Sequence, residues 1–98
     1  MRSTRQDILS SLKKLKGEVA REYSVKKIGL FGSISRSEGT EQSDIDLLVE
    51  FSKPVGFVTF IRLENFLSEQ LGERVDLVTS DSLKPVIRQD VLAEVIYV

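Results

Sequence analysis

Residues 30–51 read LFGSISRSEGTEQSDIDLLVEF and contain the pattern that decides the fold. An apolar run ends at Gly32 and Ser33, a mostly polar stretch follows, and a second apolar run begins with Asp44 and Asp46. Two short apolar runs separated by polar, glycine-containing sequence predict two strands joined by a loop. Like charges on one strand face repel each other, so the two aspartates need open water around them or a cation between them.

Hydrophobic periodicity outside this stretch predicts three helices and a third strand. The predicted elements are, in order, a helix over 4–23, strands over 25–32 and 44–51, a helix over 57–71, a strand over 73–79 and a helix over 83–95. Thr4 followed by Asp7 resembles a capping box, and Gly72 is expected to end the second helix.

The C-terminal part of the chain leaves two interpretations open. We expect Ser80 or Asp81 to cap the third helix, with Pro85 in its first turn. Residues 95–98, VIYV, either finish that helix or pair as a short final strand. The element order predicts an α/β (α+β) sandwich in which helices cover one face of a small mixed β-sheet.

Length and composition limit the class of protein. The 98 residues predict a single domain spanning 1–98. Fractions of 41% hydrophobic and 30% charged residues are typical of a soluble globular domain. The net charge of −1 argues against a domain that binds nucleic acid by bulk charge, so we expect no direct nucleic-acid binding.

Two residue types are absent, and their absence removes several kinds of chemistry. The sequence has no cysteine and no histidine. Thiolate zinc sites, Ser-His-Asp and Cys-His nucleophiles and imidazole acid–base catalysis are therefore excluded. Catalysis in this chain would have to use carboxylates, Lys, Arg, Tyr, Ser or Thr, most simply around a cation with oxygen ligands.

The hydropathy pattern gives no sign of a membrane protein. No apolar run approaches the roughly 20 residues that span a bilayer. The N-terminal residues MRSTRQDILSS lack the apolar core of a signal peptide. We therefore expect a cytoplasmic protein without a membrane partner.

Three aspartates are predicted to share one face of the sheet. Side chains alternate along a strand, so Asp44 and Asp46 point away from the face that carries Ile45. On the third strand, Val75 suits the core and Asp76 then faces the same way as the pair. Three such carboxylates suit Mg²⁺, and two ions roughly 3.5–4 Å apart are typical of phosphoryl-type transfer.

The loop before the aspartates contains groups that suit a phosphate. Gly32 permits a tight turn, and Ser33 offers a hydroxyl and a backbone N–H. Arg36 adds a positive charge nearby. Each motif alone is common in ordinary turns and strand ends, but their order favours a site for Mg²⁺ and a nucleoside triphosphate.

Three segments, GLFGS, SDIDLLVEF and RVDLV in this order, resemble the minimal nucleotidyltransferases of the DNA polymerase β superfamily. The resemblance runs from about Ile28 to Val78 and implies a polymerase β-like nucleotidyltransferase core. It implies that Gly32, Ser33 and Arg36 hold the triphosphate of ATP.

The same resemblance assigns roles to the acids. It implies that Asp44, Asp46 and Asp76 bind two Mg²⁺ ions and that Asp76 helps to deprotonate the acceptor hydroxyl. The implied reaction is attack of that hydroxyl on the α-phosphate with release of pyrophosphate.

Two departures from the family pattern bear on these roles. Many members have Arg-Gly after Gly-Ser, whereas this chain has Ser35, Arg36 and Ser37. Larger relatives carry an acceptor-binding domain that this sequence lacks. Short members of the family are typically paired with a HEPN-type toxin, so the resemblance implies an antitoxin that transfers AMP to such a partner.

Two other interpretations of the same motifs stay open at this point. The domain could bind a nucleotide without catalysis and neutralise its partner by docking alone. It could also use the three acids to hydrolyse a phosphate ester with water, although no further base in the sequence marks that reaction. Three mutually repelling acids on one face favour an enzyme over a pure docking module.

Overall fold

The structure, a computed structural model, describes residues 4–32, 34–35 and 44–98. Its elements are α1 (Arg5–Tyr23), β1 (Val25–Phe31), β2 (Ile45–Phe51), α2 (Phe57–Leu71), β3 (Val75–Thr79), a 3₁₀ turn (Ser80–Ser82), α3 (Pro85–Glu94) and β4 (Ile96–Tyr97). These bounds match the predicted elements closely. Within the described ranges, every helix is too short or too polar to cross a membrane.

The helix ends follow local sequence signals. At the start of α1, the Asp7 N–H donates to Thr4 Oγ1 and the Thr4 N–H donates to Asp7 Oδ2, both at 3.2 Å, which confirms the capping box. Helix α2 ends at Gly72, whose φ of 68° is the left-handed conformation that glycine adopts without strain.

The start of α3 corrects one prediction. Lys84, rather than Ser80 or Asp81, is the N-cap, and Pro85 is the first helical residue. Proline has a fixed φ and no N–H to leave unpaired, so a helix starts at it readily, and the residue before it is held extended. Ser80 and Asp81 lie instead in the 3₁₀ turn that follows β3.

The four strands form one mixed sheet in the order β3-β2-β1-β4. Strand β2 pairs antiparallel with β1 and parallel with β3. Of the two interpretations of the C-terminal residues, the strand is the right one, because β4 pairs antiparallel with β1 at Gly29 and Leu30. A mixed sheet with three helices confirms the predicted α/β class.

The core lies between the sheet and helices α1 and α2. It contains the β2 residues that were predicted to face inward, together with buried residues of both helices: Ile45, Leu47, Val49, Ile8, Leu12, Val19, Leu63 and Leu67. All of these side chains are at most 1% exposed. Asp46 of β2 therefore lies on the opposite face of the sheet by strand alternation.

Helix α3 differs from the expectation that helices cover only one face. It carries the chain from β3 at one edge of the sheet to β4 at the other, the reverse direction to the α2 crossover. Right-handed crossovers in opposite directions lie on opposite faces, so α3 belongs on the aspartate face. Leu48 on that face and Val91 of α3 are 2% and 6% exposed, outside the main core. The aspartate face is thus covered at Leu48 and open at Asp76, which is exposed.

Candidate active site

The parallel pairing of β2 and β3 places two of the predicted acids side by side. Asp46 is the register partner of Asp76, just as Ile45 is the partner of Val75 on the buried side. Neighbouring strands lie about 4.8 Å apart, so this register brings the two carboxylates onto adjacent positions. Asp46 is partly buried and Asp76 is exposed, so the pair borders on solvent.

Asp44 lies two residues before Asp46, directly before β2. Its Oδ2 atom is 3.8 Å from Nε of Arg74, and its side chain is 42% exposed whereas that of Arg74 is 85% exposed. An exposed ion pair of this kind contributes little to stability. It does place a cation beside the acidic positions.

Gly32 lies directly against Asp46. It follows Phe31, which is the register partner of Asp46 on β1. Its φ is 83°, and a Cβ built at this position would overlap Oδ2 of Asp46. Both the backbone conformation and the close approach require glycine here. Gly32, the first residue of the Gly-Ser motif, therefore lies next to Asp46 of the acid pair.

Three hydrogen bonds hold Gly32 and Ser35 in place. The Gly32 N–H donates to Glu94 Oε1 of α3 at 3.1 Å, and the Gly32 carbonyl accepts from Ser35 Oγ at 2.7 Å. The Ser35 carbonyl accepts in turn from Arg5 Nη1 of α1 at 3.0 Å. Ser35 is 5% exposed, as is Ile34 beside it, so the start of the loop is anchored in the fold.

Two predicted site residues, Ser33 and Arg36, lie outside the described residues. Their assignment to the triphosphate remains a prediction. The described residues on either side are Gly32, Ile34 and Ser35.

The fit of these residues to a metal ion rests on donor type and backbone placement. Among the described residues, no three or more His, Cys, Asp or Glu side chains are gathered in a way that could hold a metal. Asp46 and Asp76 are nevertheless register neighbours, Asp44 follows the same alternation, and all three offer the hard oxygen ligands that Mg²⁺ prefers. The fold thus places suitable metal ligands at these positions, but the three aspartate side chains do not converge on one point.

A groove of about 800 Å³ lies away from this site. It is lined by the end of β2, the start of α2 and the 3₁₀ turn, including Phe51, Pro54, Phe57 and Asp81. Asp44 is at the other end of β2, so this groove does not belong to the acidic positions.

Sequence reasoning missed three residues that surround the candidate site. Arg5, Arg74 and Glu94 contact Ser35, Asp44 and Gly32 respectively. Arg5 and Glu94 are separated from their partners by 30 and 62 residues, so no local spacing indicates these contacts. Arg74 precedes Val75, and only the β2–β3 register would have placed it near Asp44.

Comparison with known proteins gives a consistent result. The model of the nucleotidyltransferase domain family matches residues 12–98. The protein adenylyltransferase MntA of Thermococcus cleftensis is 45% identical over 95 residues, which cover 97% of this chain and 96% of that protein.

Solved structures agree in fold. A structure described as a minimal nucleotidyltransferase is 33% identical, with a TM-score of 0.84 over 96% of this chain and 95% of that one. A chain in the complex of a tri-AMPylated Shewanella oneidensis HEPN toxin with an MNT antitoxin is 26% identical, with a TM-score of 0.66 over 96% of this chain and 71% of that one.

Proposed function

Because the chain belongs to the nucleotidyltransferase domain family, we propose that it transfers AMP from ATP to a hydroxyl group of a HEPN-type partner protein and thereby acts as an antitoxin. The observation that carries this proposal is the Asp46–Asp76 register pair with Gly32 packed against Asp46. Acids and a tight glycine turn at one point of the sheet are what a nucleotide with its cation requires.

The residues around Gly32 would bind the triphosphate. Backbone N–H groups after Gly32 and the Ser33 hydroxyl would donate to phosphate oxygens. Arg36 would add a guanidinium, whose planar fork suits phosphate.

The three aspartates would hold two Mg²⁺ ions. Magnesium, when bound, neutralises charge on the phosphates and stabilises the attacking and leaving oxygens. Asp44 and Asp46 would supply ligands from β2, and Asp76 would add a ligand from β3. Before the ions bind, Arg74 compensates part of the charge of Asp44.

The transfer step uses the acceptor hydroxyl as the nucleophile. Its oxygen forms a bond to the α-phosphorus of ATP while the bond from that phosphorus to the oxygen bridging to the β-phosphate breaks. Asp76 is the most exposed of the three aspartates and is therefore best placed to meet an incoming protein. It would take the hydroxyl proton. Pyrophosphate leaves with the bridging oxygen, and the acceptor carries AMP.

Labelling with α-³²P-ATP tests this proposal. Purified protein and Mg²⁺ are incubated with a lysate of the source organism, and labelled proteins are identified by mass spectrometry. We expect a labelled acceptor with the wild type and none with the Asp44→Asn/Asp46→Asn variant. Glu50→Gln is the matched control, because Glu50 lies on the same strand face near the far end of β2, 3.5 Å from Lys26.

The outcomes separate transfer from other uses of the acids. Label that persists in the double variant would remove the aspartates from the reaction. Release of phosphate from ATP by the purified protein alone, without a labelled protein in the lysate, would indicate a hydrolase instead.

A docking module without catalysis is the second candidate. Phe57, Val58 and Val86 are 78%, 63% and 80% exposed and are therefore available for contact with another protein. If this candidate is right, the double aspartate variant would still bind and neutralise the toxin as well as the wild type does. The transferase proposal expects it to bind the toxin without protecting the cell.

A further inference from the structure

Glu94, the last residue of α3, contacts the start of the proposed triphosphate loop although it was no part of the predicted site. Its Oε1 accepts the Gly32 N–H at 3.1 Å, in a partly buried position. Glu94 lies on neither β2 nor β3, so the strand pairing that brings Asp46 and Asp76 together does not account for this contact. A glutamate placed next to a proposed site for an anion needs a physical explanation.

The fold fixes the position of Glu94 by backbone pairing. Directly after it, β4 pairs with Gly29 and Leu30 of β1, and the Val98 N–H donates to the Ile28 carbonyl at 3.1 Å. A Cβ on Gly29 would lie 2.7 Å from Cγ2 of Val95, so the two segments are in direct contact. Glu94 is therefore held beside Gly32 by the pairing that follows it.

Gly32 is the residue that most needs such a contact. Glycine has more conformational freedom than any other residue, and here it must keep a φ of 83° against the side chain of Asp46. A hydrogen bond from its N–H to a carboxylate is stronger than a bond to a neutral acceptor. The bond restricts the conformation of Gly32.

We propose that Glu94 is a positioning residue of the nucleotide site, whose hydrogen bond to Gly32 holds the turn in the conformation that binds the triphosphate. This inference rests on the proposed function, because it concerns the same nucleotide. The rival explanation is that Glu94 acts as a gate. Its carboxylate would then occupy the Gly32 N–H, and a phosphate would have to displace it in order to bind there. Positioning is favoured because β4 pairing fixes the segment next to Glu94 and a gate would have to move.

Nucleotide binding distinguishes these explanations. We expect Glu94→Ala to bind a fluorescent ATP analogue with Mg²⁺ about tenfold more weakly than the wild type, the effect of losing one charge-assisted hydrogen bond. Glu94→Gln keeps an acceptor oxygen and should stay within about threefold of the wild type. Glu69→Ala, an exposed glutamate near the end of α2, removes the same charge elsewhere and should bind as the wild type does.

A second measurement is independent of nucleotide. Hydrogen exchange of the Gly32 amide, followed by NMR without ligand, should be slow in the wild type and in Glu94→Gln and faster in Glu94→Ala. Should Glu94→Ala fail to fold, Glu94→Asp shortens the side chain by one methylene and tests the same contact. We expect Glu94→Asp to weaken binding and to speed the exchange.

Several results would overturn the inference. Unchanged binding by Glu94→Ala would show that the contact does not position the turn. Tighter binding by both Glu94→Ala and Glu94→Gln would establish the gate. A wild type that binds no nucleotide would refute the proposed function instead, and equal Gly32 exchange in all variants would refute the positioning contact by itself.

Discussion

At the scale of single residues, the candidate site depends on a glycine. Gly32 combines a positive φ with contact to the side chain of Asp46, and each of these alone would disfavour a larger residue. The sequence indicated the glycine through the Gly-Ser motif. It did not indicate the reason, because the contact with Asp46 arises only when β1 and β2 pair at Phe31 and Asp46.

Gly32→Ala should therefore be costly in stability and in nucleotide binding. We expect the free energy of unfolding in urea to fall by about 2 kcal/mol or more, from the left-handed φ and the overlap with Asp46 together. Gly72→Ala is the matched control, since Gly72 has a φ of 68° but nothing within 4 Å of its added Cβ. It should cost about 1 kcal/mol. Equal losses in the two variants would show that contact with Asp46 is unimportant.

At the scale of secondary structure, the helices protect and connect the sheet edges. Strand β3 is an edge strand, and side chains of α2 pair with its backbone. The Val75 N–H donates to Ser68 Oγ at 3.2 Å, and the Leu77 N–H donates to Glu64 Oε2 at 2.9 Å. Covering an exposed edge in this way prevents pairing with other chains. It also fixes β3, and with it Asp76, beside β2.

The opposite edge depends on Gly29. A Cβ there would lie 2.7 Å from Val95 Cγ2 and 2.9 Å from the Ile96 carbonyl oxygen, which is backbone and cannot rotate away. We expect Gly29→Ala to lower the free energy of unfolding by about 1–3 kcal/mol and to loosen β4. Gly17→Ala, in the middle of α1 with 3.8 Å to its nearest neighbour, should instead raise that free energy by about 0.5–1 kcal/mol.

Urea denaturation of Gly29→Ala and Gly17→Ala shows whether each change lowers or raises the free energy of unfolding. Hydrogen exchange shows where structure is lost. Amides of β4 and of Gly32 should exchange faster in Gly29→Ala, because α3 and Glu94 are held by the same pairing. A destabilised Gly29→Ala with unchanged exchange at Gly32 would separate the β4 edge from the site.

At the scale of the whole molecule, the sequence predicted what depends on local pattern and missed what depends on distant contacts. Apolar periodicity predicted helices α1 and α2, Thr4 predicted where α1 begins, and Gly72 predicted where α2 ends. Strand alternation predicted that Asp46 and Asp76 face the same way, and their register pairing agrees with this, whereas the roles of Asp44, Asp46 and Asp76 stay a prediction. Glu94 could not be found in this way, because its partner lies 62 residues away and meets it only after β4 closes the sheet.

The acid positions should reduce the stability of the whole molecule when no cation is present. Asp76 and Asp46 are cross-strand neighbours, and like charges at such positions destabilise a sheet by up to about 1 kcal/mol. We expect Asp76→Asn to raise the free energy of unfolding in urea by up to about 1 kcal/mol without Mg²⁺.

The same variant should lose most of the increase in melting temperature that Mg²⁺ and ATP give the wild type. A ligand raises the melting temperature only by binding to the folded protein, and this variant is expected to bind Mg²⁺ and ATP weakly. Glu69→Gln, an exposed acid on α2, should change neither quantity. An Asp76→Asn protein that is less stable without Mg²⁺ would mean that Asp76 supports the fold rather than the nucleotide.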